Sequence, residues 1–157
     1  DTLSEKDMIF SQDRVRILSG LYGVLKPLDL MLPYRLEMGT KLDNKNGKNL
    51  YEFWGEKLKD FILSEIKQDE VIINLASTEY SKALKLNNIE NKVITPIFKD
   101  YKNGSLKVIS FYAKRARGEM VNFIISNNII NYNDLKLFNY EGYTFSGNSK
   151  NELVFTR

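Results

Sequence analysis

The chain contains no cysteine and no histidine. The first absence removes disulfides, thiolate metal sites and cysteine nucleophiles. The second removes histidine-ligated zinc, histidine general bases and the Ser-His-Asp triad. A metal could bind only through Asp, Glu or carbonyl oxygens, and no metal site or cofactor is expected. The phosphate-loop pattern G-x-x-x-x-G-K-[ST], the dinucleotide pattern G-x-G-x-x-G and the G-x-S-x-G elbow are all missing. No apolar run approaches the roughly 20 residues that span a bilayer, and no signal-peptide pattern opens the chain. The expectation is a cytoplasmic protein with no membrane partner. A dominant charge sign is lacking too: 23 basic and 20 acidic residues leave +3, so a nucleic-acid role needs a local basic patch.

What is present suits one domain with a real core, since the 157 residues are 43% hydrophobic. The stretch from Ser105 to Ile130 organises the rest. Its first eight residues are β-branched and aromatic, the habit of a strand. From Ala113 the apolar positions Ala113, Ala116, Met120, Phe123 and Ile124 recur at helical spacing. Lys114, Arg115 and Arg117 stand in the expected first helical turn, where the backbone is already positive and amide donors are free. Cations there make sense around an anion, phosphate above all.

Along the chain, Ser4 with Asp7 predicts the cap of a helix to Arg14. Val15–Leu18 reads as a strand before the Ser19-Gly20-Leu21-Tyr22-Gly23 turn, where glycines permit a sharp turn or close ligand approach. Lys26–Gly39 predicts an ordered irregular loop whose Leu28, Leu30, Met31, Leu32, Tyr34 and Leu36 are too apolar to be solvated, with Arg35 and Glu37 pairing or meeting a ligand. Asn49 is expected to cap one helix through Ile66, with Glu52 closing a capping box and Trp54 in the core. Val71–Leu75 reads as a strand covered on both faces, followed by a short helix from Ser77 or Thr78 to Leu84. Asn103-Gly104 predicts a type I′ hairpin between Lys92–Lys102 and Ser105–Tyr112. Pro96 argues for an edge or bulge. A terminal hairpin is expected around Ser146–Asn151. The fold class is α+β or mixed α/β: a single mixed sheet with helices packed on it, in one domain spanning residues 1–157.

For chemistry, the anion-contacting candidates are Lys114, Arg115 and Arg117, joined by Arg35, Lys41 and Lys82. Pocket candidates at strand ends are Ser19, Tyr22, Tyr34, Asn74, Ser77, Glu79, Tyr80 and Tyr112. Arg and Tyr together hold a phosphate and stack a base, which suits a nucleotide pocket and a nucleic-acid groove alike. Asp29, Glu37, Glu79 and Glu119 are nearby carboxylates, and none is singled out as catalytic. Three readings stay open: DNA binding, a site for a phosphorylated small molecule, and a structural network in which the cations pair with Glu37, Glu79 or Glu119.

The blocks SGLYGVLKPLDLMLPYRLEMGTKL, NLYEFWG, VIINLASTEY, ISFYAKRARGEMVNFII, FNYEGYTF and ELVFTR resemble the YaaA family of peroxide-stress-resistance proteins, from about Arg14 to Arg157. The resemblance implies a bacterial cytosolic protein that limits oxidative damage, lowers free iron and binds double-stranded DNA. Members of that family are longer at the N-terminus, so the chain is expected to be a C-terminal fragment. The family's DNA contact is attributed to a helix-hairpin-helix element, which this sequence does not contain. The His and Cys ligands that iron favours are absent.

Overall fold

The Ser4 hydroxyl accepts the Asp7 amide at 3.2 Å and the Asp7 carboxylate accepts the Ser4 amide at 2.9 Å, which closes the predicted capping box and starts α1 (Glu5–Arg14). The structure, a computed structural model, describes residues 3–157. They gather into two compact units, one of the residues up to Glu70 with Ala76–Glu90, the other of Val71–Leu75 with Asn91–Arg157.

In the first unit α1 leads into β1 (Ile17–Ser19) and β2 (Gly23–Leu25), an antiparallel hairpin in which Ser19 faces Gly23. This hairpin is additional to the single mixed sheet expected. The Lys26–Gly39 segment is irregular, as expected, but Leu28, Leu30, Met31 and Leu32 are exposed while Met38 is fully buried. The expectation of a covered apolar loop therefore fails for these four. Polar anchors hold the loop instead: the Lys26 amide donates to Asp29 at 2.8 Å, Leu28 to the Gln12 side chain at 2.9 Å, and Leu32 to the Tyr22 hydroxyl at 3.2 Å.

The single helix expected from Asn49 to Ile66 is two, α2 (Leu50–Trp54) and α3 (Lys57–Glu65). The break falls at Gly55, whose φ of 54° lies in the left-handed region that glycine tolerates. Asn49 does cap α2, accepting the Glu52 amide at 2.9 Å, but Glu52 takes the Lys48 amide and leaves the capping box open. α4 (Thr78–Ser81) continues as a 3₁₀ turn to Leu84. Met38, Leu50, Leu58, Ala83 and Leu84 form the buried core, with Leu18, Trp54 and Tyr80 packed on it.

The second unit is built on a mixed five-stranded sheet. β3 (Ile72–Ile73) runs parallel to β4 (Val93–Lys102), β4 parallel to β7 (Glu152–Thr156), and β7 antiparallel to β6 (Thr144–Ser149). β5 (Ser105–Lys107) pairs antiparallel with β4 across Asn103 and Gly104, both at positive φ (52° and 77°). That is the expected type I′ turn. Val71–Leu75 is half-buried rather than covered on both faces, and only two of its residues pair.

Pro96 lies inside β4, not at a sheet edge, yet its position obeys the edge rule. The Thr95 amide donates toward the β7 side, to Asn151 at 2.8 Å, so the missing Pro96 donor faces the β3 side, where β3 has already ended. α5 (Ser110–Ser126) sets Ala113, Ala116 and Met120 in one core with Phe98 and Phe155. Phe98 meets Phe138, Tyr143 and Phe155 with ring centroids 5.3–5.7 Å apart.

Candidate functional site

Between Lys99 and Arg117 stand six cationic side chains and one carboxylate, an excess of five in a chain whose net charge is +3. That one carboxylate, Asp100, is buried. It accepts the Arg157 Nε at 2.6 Å and the Tyr143 hydroxyl at 2.7 Å. The Arg157 guanidinium also lies 4.5 Å from the Tyr143 ring and 4.7 Å from the Tyr112 ring, and donates to the Glu141 carbonyl at 3.1 Å. Asp100 is thus already engaged opposite Lys107, its cross-strand partner. Lys99, Lys102, Lys107 and Lys114 make no ion pair among the described residues.

The helical cations sit differently from expectation. α5 begins at Ser110, three residues before Ala113, so Lys114, Arg115 and Arg117 occupy its second turn. The free first-turn amides belong to Ser110, Phe111 and Tyr112, and Ile109 at the N-cap supplies no side-chain bond. Ser110, Lys114 and Arg117 are spaced to share a face, and side chains on a helix lean toward its N-terminus.

Arg115 is committed elsewhere. It pairs with Glu141 at 2.8 Å and donates to the Tyr140 hydroxyl at 3.0 Å, and these contacts raise its pKa, the Tyr140 bond first. Its ion pair is with none of Glu37, Glu79 and Glu119, though Glu119 adds a smaller attraction. Arg117 is half-buried, and burial pulls its guanidinium below the usual value. Tyr112 lies under Arg157, and the Asn74 side chain reaches Thr95 at 3.5 Å.

The first unit gathers most of the remaining candidates. Ser19 is buried; its hydroxyl accepts the Tyr22 amide at 2.9 Å and shares a short hydrogen bond with the Tyr34 hydroxyl. Tyr22 and Tyr34 meet edge to face at 5.5 Å. A Cβ on Gly20 would lie 2.4 Å from the Leu36 carbonyl oxygen, and the Trp54 indole donates to the Gly20 carbonyl at 3.1 Å. Glu79 accepts the Gly39 amide at 2.7 Å, while the Tyr51 hydroxyl donates to the Glu79 carbonyl at 3.0 Å. Tyr80 is half-buried, and burial, with smaller effects from Glu79, Tyr34 and Glu37, holds its hydroxyl above the ordinary phenol value. Ser77 occupies the N-cap position of α4 without a side-chain bond. Lys82 lies 4.7 Å above the Tyr51 ring, Lys41 is exposed, and Arg35 and Glu37 form an open contact at 3.8 Å. Ser19, Tyr22, Tyr34, Glu79 and Tyr80 thus belong to one unit, while Asn74 and Tyr112 belong to the other.

Sequence reasoning missed Asp100, Tyr140, Glu141, Tyr143 and Arg157, and the hairpin residues Tyr101, Lys102, Leu106 and Lys107. The first set is drawn from segments far apart in sequence. The second had a usable signal: lysines and an aromatic flanking Asn103-Gly104. Among the described residues no group of three or more Asp or Glu is placed to hold a metal ion.

These features define a mixed α/β protein whose second unit carries exposed lysines that make no ion pair among the described residues. The family model described as "Peroxide stress protein YaaA" matches residues 1–149, and the chain belongs to that family. A protein of Saccharophagus degradans described as "UPF0246 protein" is 50% identical over 160 residues, covering 99% of this chain and 62% of the relative. The chain therefore spans under two thirds of the length of the curated relative it matches.

Proposed function

We propose that this is a cytoplasmic peroxide-stress protein that binds double-stranded DNA, its phosphates held by exposed lysines of the second unit. One observation carries the reading: Lys102, Lys107 and Lys114 are exposed and make no ion pair among the described residues, and Asp100, the cross-strand partner of Lys107, is already taken by Arg157 and Tyr143, so their charge is available to an anion. Arg35, Lys41 and Lys82 are exposed cations of the first unit and further candidate phosphate contacts. No helix among the described residues is long and apolar enough to cross a membrane.

Anisotropy titration of a labelled duplex against salt tests this. Each phosphate contact contributes about 0.9 to the slope of log affinity on log salt. The Lys107→Ala/Lys114→Ala double variant lowers that slope by about two contacts, on the same scale. A flat salt response removes the reading.

A second reading, a phosphorylated small molecule held at the start of α5, is favoured by the uncapped first turn and by Lys114 leaning toward it. A thermal-shift screen of nucleotides on wild type and Lys114→Ala separates the two readings. A nucleotide that stabilises only the wild type favours the small molecule.

A further inference from the structure

Thiolates and thioethers are the side chains that take up an oxygen atom from peroxide. With no cysteine in the chain, that chemistry falls to four methionines. Two are closed off. Met38 is fully buried in the core with Leu50, Leu58 and Leu84, and Met120 in the core with Phe98 and Phe155. Met8 is half-buried on α1. Met31 is the open one, 48% exposed.

The setting of Met31 is as telling as its exposure. It lies in an exposed apolar strip with Leu28, Leu30 and Leu32, whose hydrocarbon side chains are inert to peroxide. The strip does not owe its shape to these side chains. Its anchors are the Lys26, Leu28 and Leu32 amides, which donate to Asp29, Gln12 and the Tyr22 hydroxyl. Met31 joins neither buried core. An oxygen on its sulfur therefore meets water and leaves the fold closed. The same oxygen on Met38 would be a polar group forced into a packed interior.

We infer that Met31 is a reversible peroxide-modification site. A lone pair of the Met31 sulfur forms an S–O bond to hydrogen peroxide and the O–O bond breaks. The departing hydroxide takes the proton of the transferred oxygen and leaves as water, so the sulfur is oxidised and the peroxide reduced. The sulfoxide is polar and chiral, and it turns the middle of an apolar strip polar while Leu30 and Leu32 stay unchanged. A methionine sulfoxide reductase returns the thioether. The peroxide-stress family supplies the oxidant, and DNA plays no part in the step.

The test is staged hydrogen peroxide treatment of the whole 157-residue chain, in buffer and in urea, read by peptide mass spectrometry. Trypsin puts the four methionines on four different peptides. In buffer Met31 is oxidised first, ahead of Met8. Met38 and Met120 lag by roughly tenfold or more, because a fully buried side chain reacts only through openings of the fold. In urea the four rates converge. The protein oxidised at Met31 alone keeps the urea midpoint of the untreated protein, and reductases for the two sulfoxide epimers return its mass. Met31→Leu takes up no oxygen at the dose that converts Met31 and spares Met8 in wild type. Oxidation of Met8 or a buried methionine before Met31 overturns the proposal. So does protection of Met31 by a second copy, read as a rate that falls as protein concentration rises. A lowered midpoint after Met31 oxidation, or a sulfoxide that the reductases leave in place, overturns it too, since the change is then damage and not a reversible mark. The salt titration of the duplex is independent of all these outcomes, so the DNA reading stands or falls separately.

Discussion

Arg157 donates from Nε to Oδ1 of Asp100 at 2.6 Å, across 57 residues of sequence. The pair ties the end of β7 to β4 just before the β4–β5 hairpin turns, and it takes up the one carboxylate of the Lys99–Arg117 stretch. Breaking a buried pair from one side leaves an uncompensated charge. Arg157→Ala is therefore expected to cost about 3 kcal/mol or more, read as a lower urea midpoint at unchanged slope. Arg157→Lys restores only part of this. A lysine cannot bond Asp100 and Glu141 as a fork or stack flat on Tyr112 and Tyr143 as the guanidinium does.

Tyr143 makes stability depend on alkaline pH. Burial first, then the hydrogen bond to Asp100, pushes its phenol far above the ordinary value. In the unfolded chain the same group loses its proton near pH 10. Above that pH the folded state binds more protons than the unfolded state, so stability falls as pH rises. Urea titrations at a series of alkaline pH values are expected to show this fall in wild type and a flatter limb in Tyr143→Phe. An identical slope in both proteins would show that Tyr143 ionises as freely in the native state as in the unfolded one.

Local chemistry was legible where it was strong. The Ser4–Asp7 capping box, the Asn103-Gly104 turn and the terminal β6–β7 hairpin are where side-chain pattern and backbone preference agree. The start of α5 was not. Val108, Ile109, Phe111 and Tyr112 have strand propensity, but a helix beginning at Ser110 sets Ala113 and Ala116 into the core around Phe98, and tertiary packing overrides the propensity. Gly55 falls inside the single helix expected from Asn49 to Ile66, whereas its positive φ ends α2 there. The site was legible in part. Ser19, Tyr22 and Tyr34 cluster, but the role of Asp100 depends on Arg157 and Tyr143, which no local pattern connects to it.

Gly20 is held by close approach. A Cβ at this position would sit 2.4 Å from the Leu36 carbonyl oxygen, and backbone cannot swing aside as a side-chain tip can. Gly20→Ala is expected to cost about 1–3 kcal/mol, the range for overpacking a tight interior. It should also loosen the Ser19–Tyr34 and Trp54–Gly20 hydrogen bonds on either side. Thermal melts give the loss. Amide exchange should localise it, with faster exchange at Tyr22, whose amide the Ser19 hydroxyl accepts. A neutral substitution would mean that the loop backbone at Leu36 yields freely.

The irregular segment after β2 supplies a contrast within nine residues. Leu30 is fully exposed and Met38 fully buried, though both lie in one loop and both are apolar. Burial rather than residue type sets the cost of substitution. Met38→Ala removes a side chain packed in the core with Leu50, Leu58 and Leu84, and is expected to cost about 2–5 kcal/mol. Leu30→Ser removes nothing the described fold has buried and is expected to stay within about 0.5 kcal/mol. Urea unfolding of the two variants in the same buffer checks both numbers. A large loss in Leu30→Ser would show that something covers this loop in solution, and a concentration-dependent midpoint would then identify a second copy as the cover.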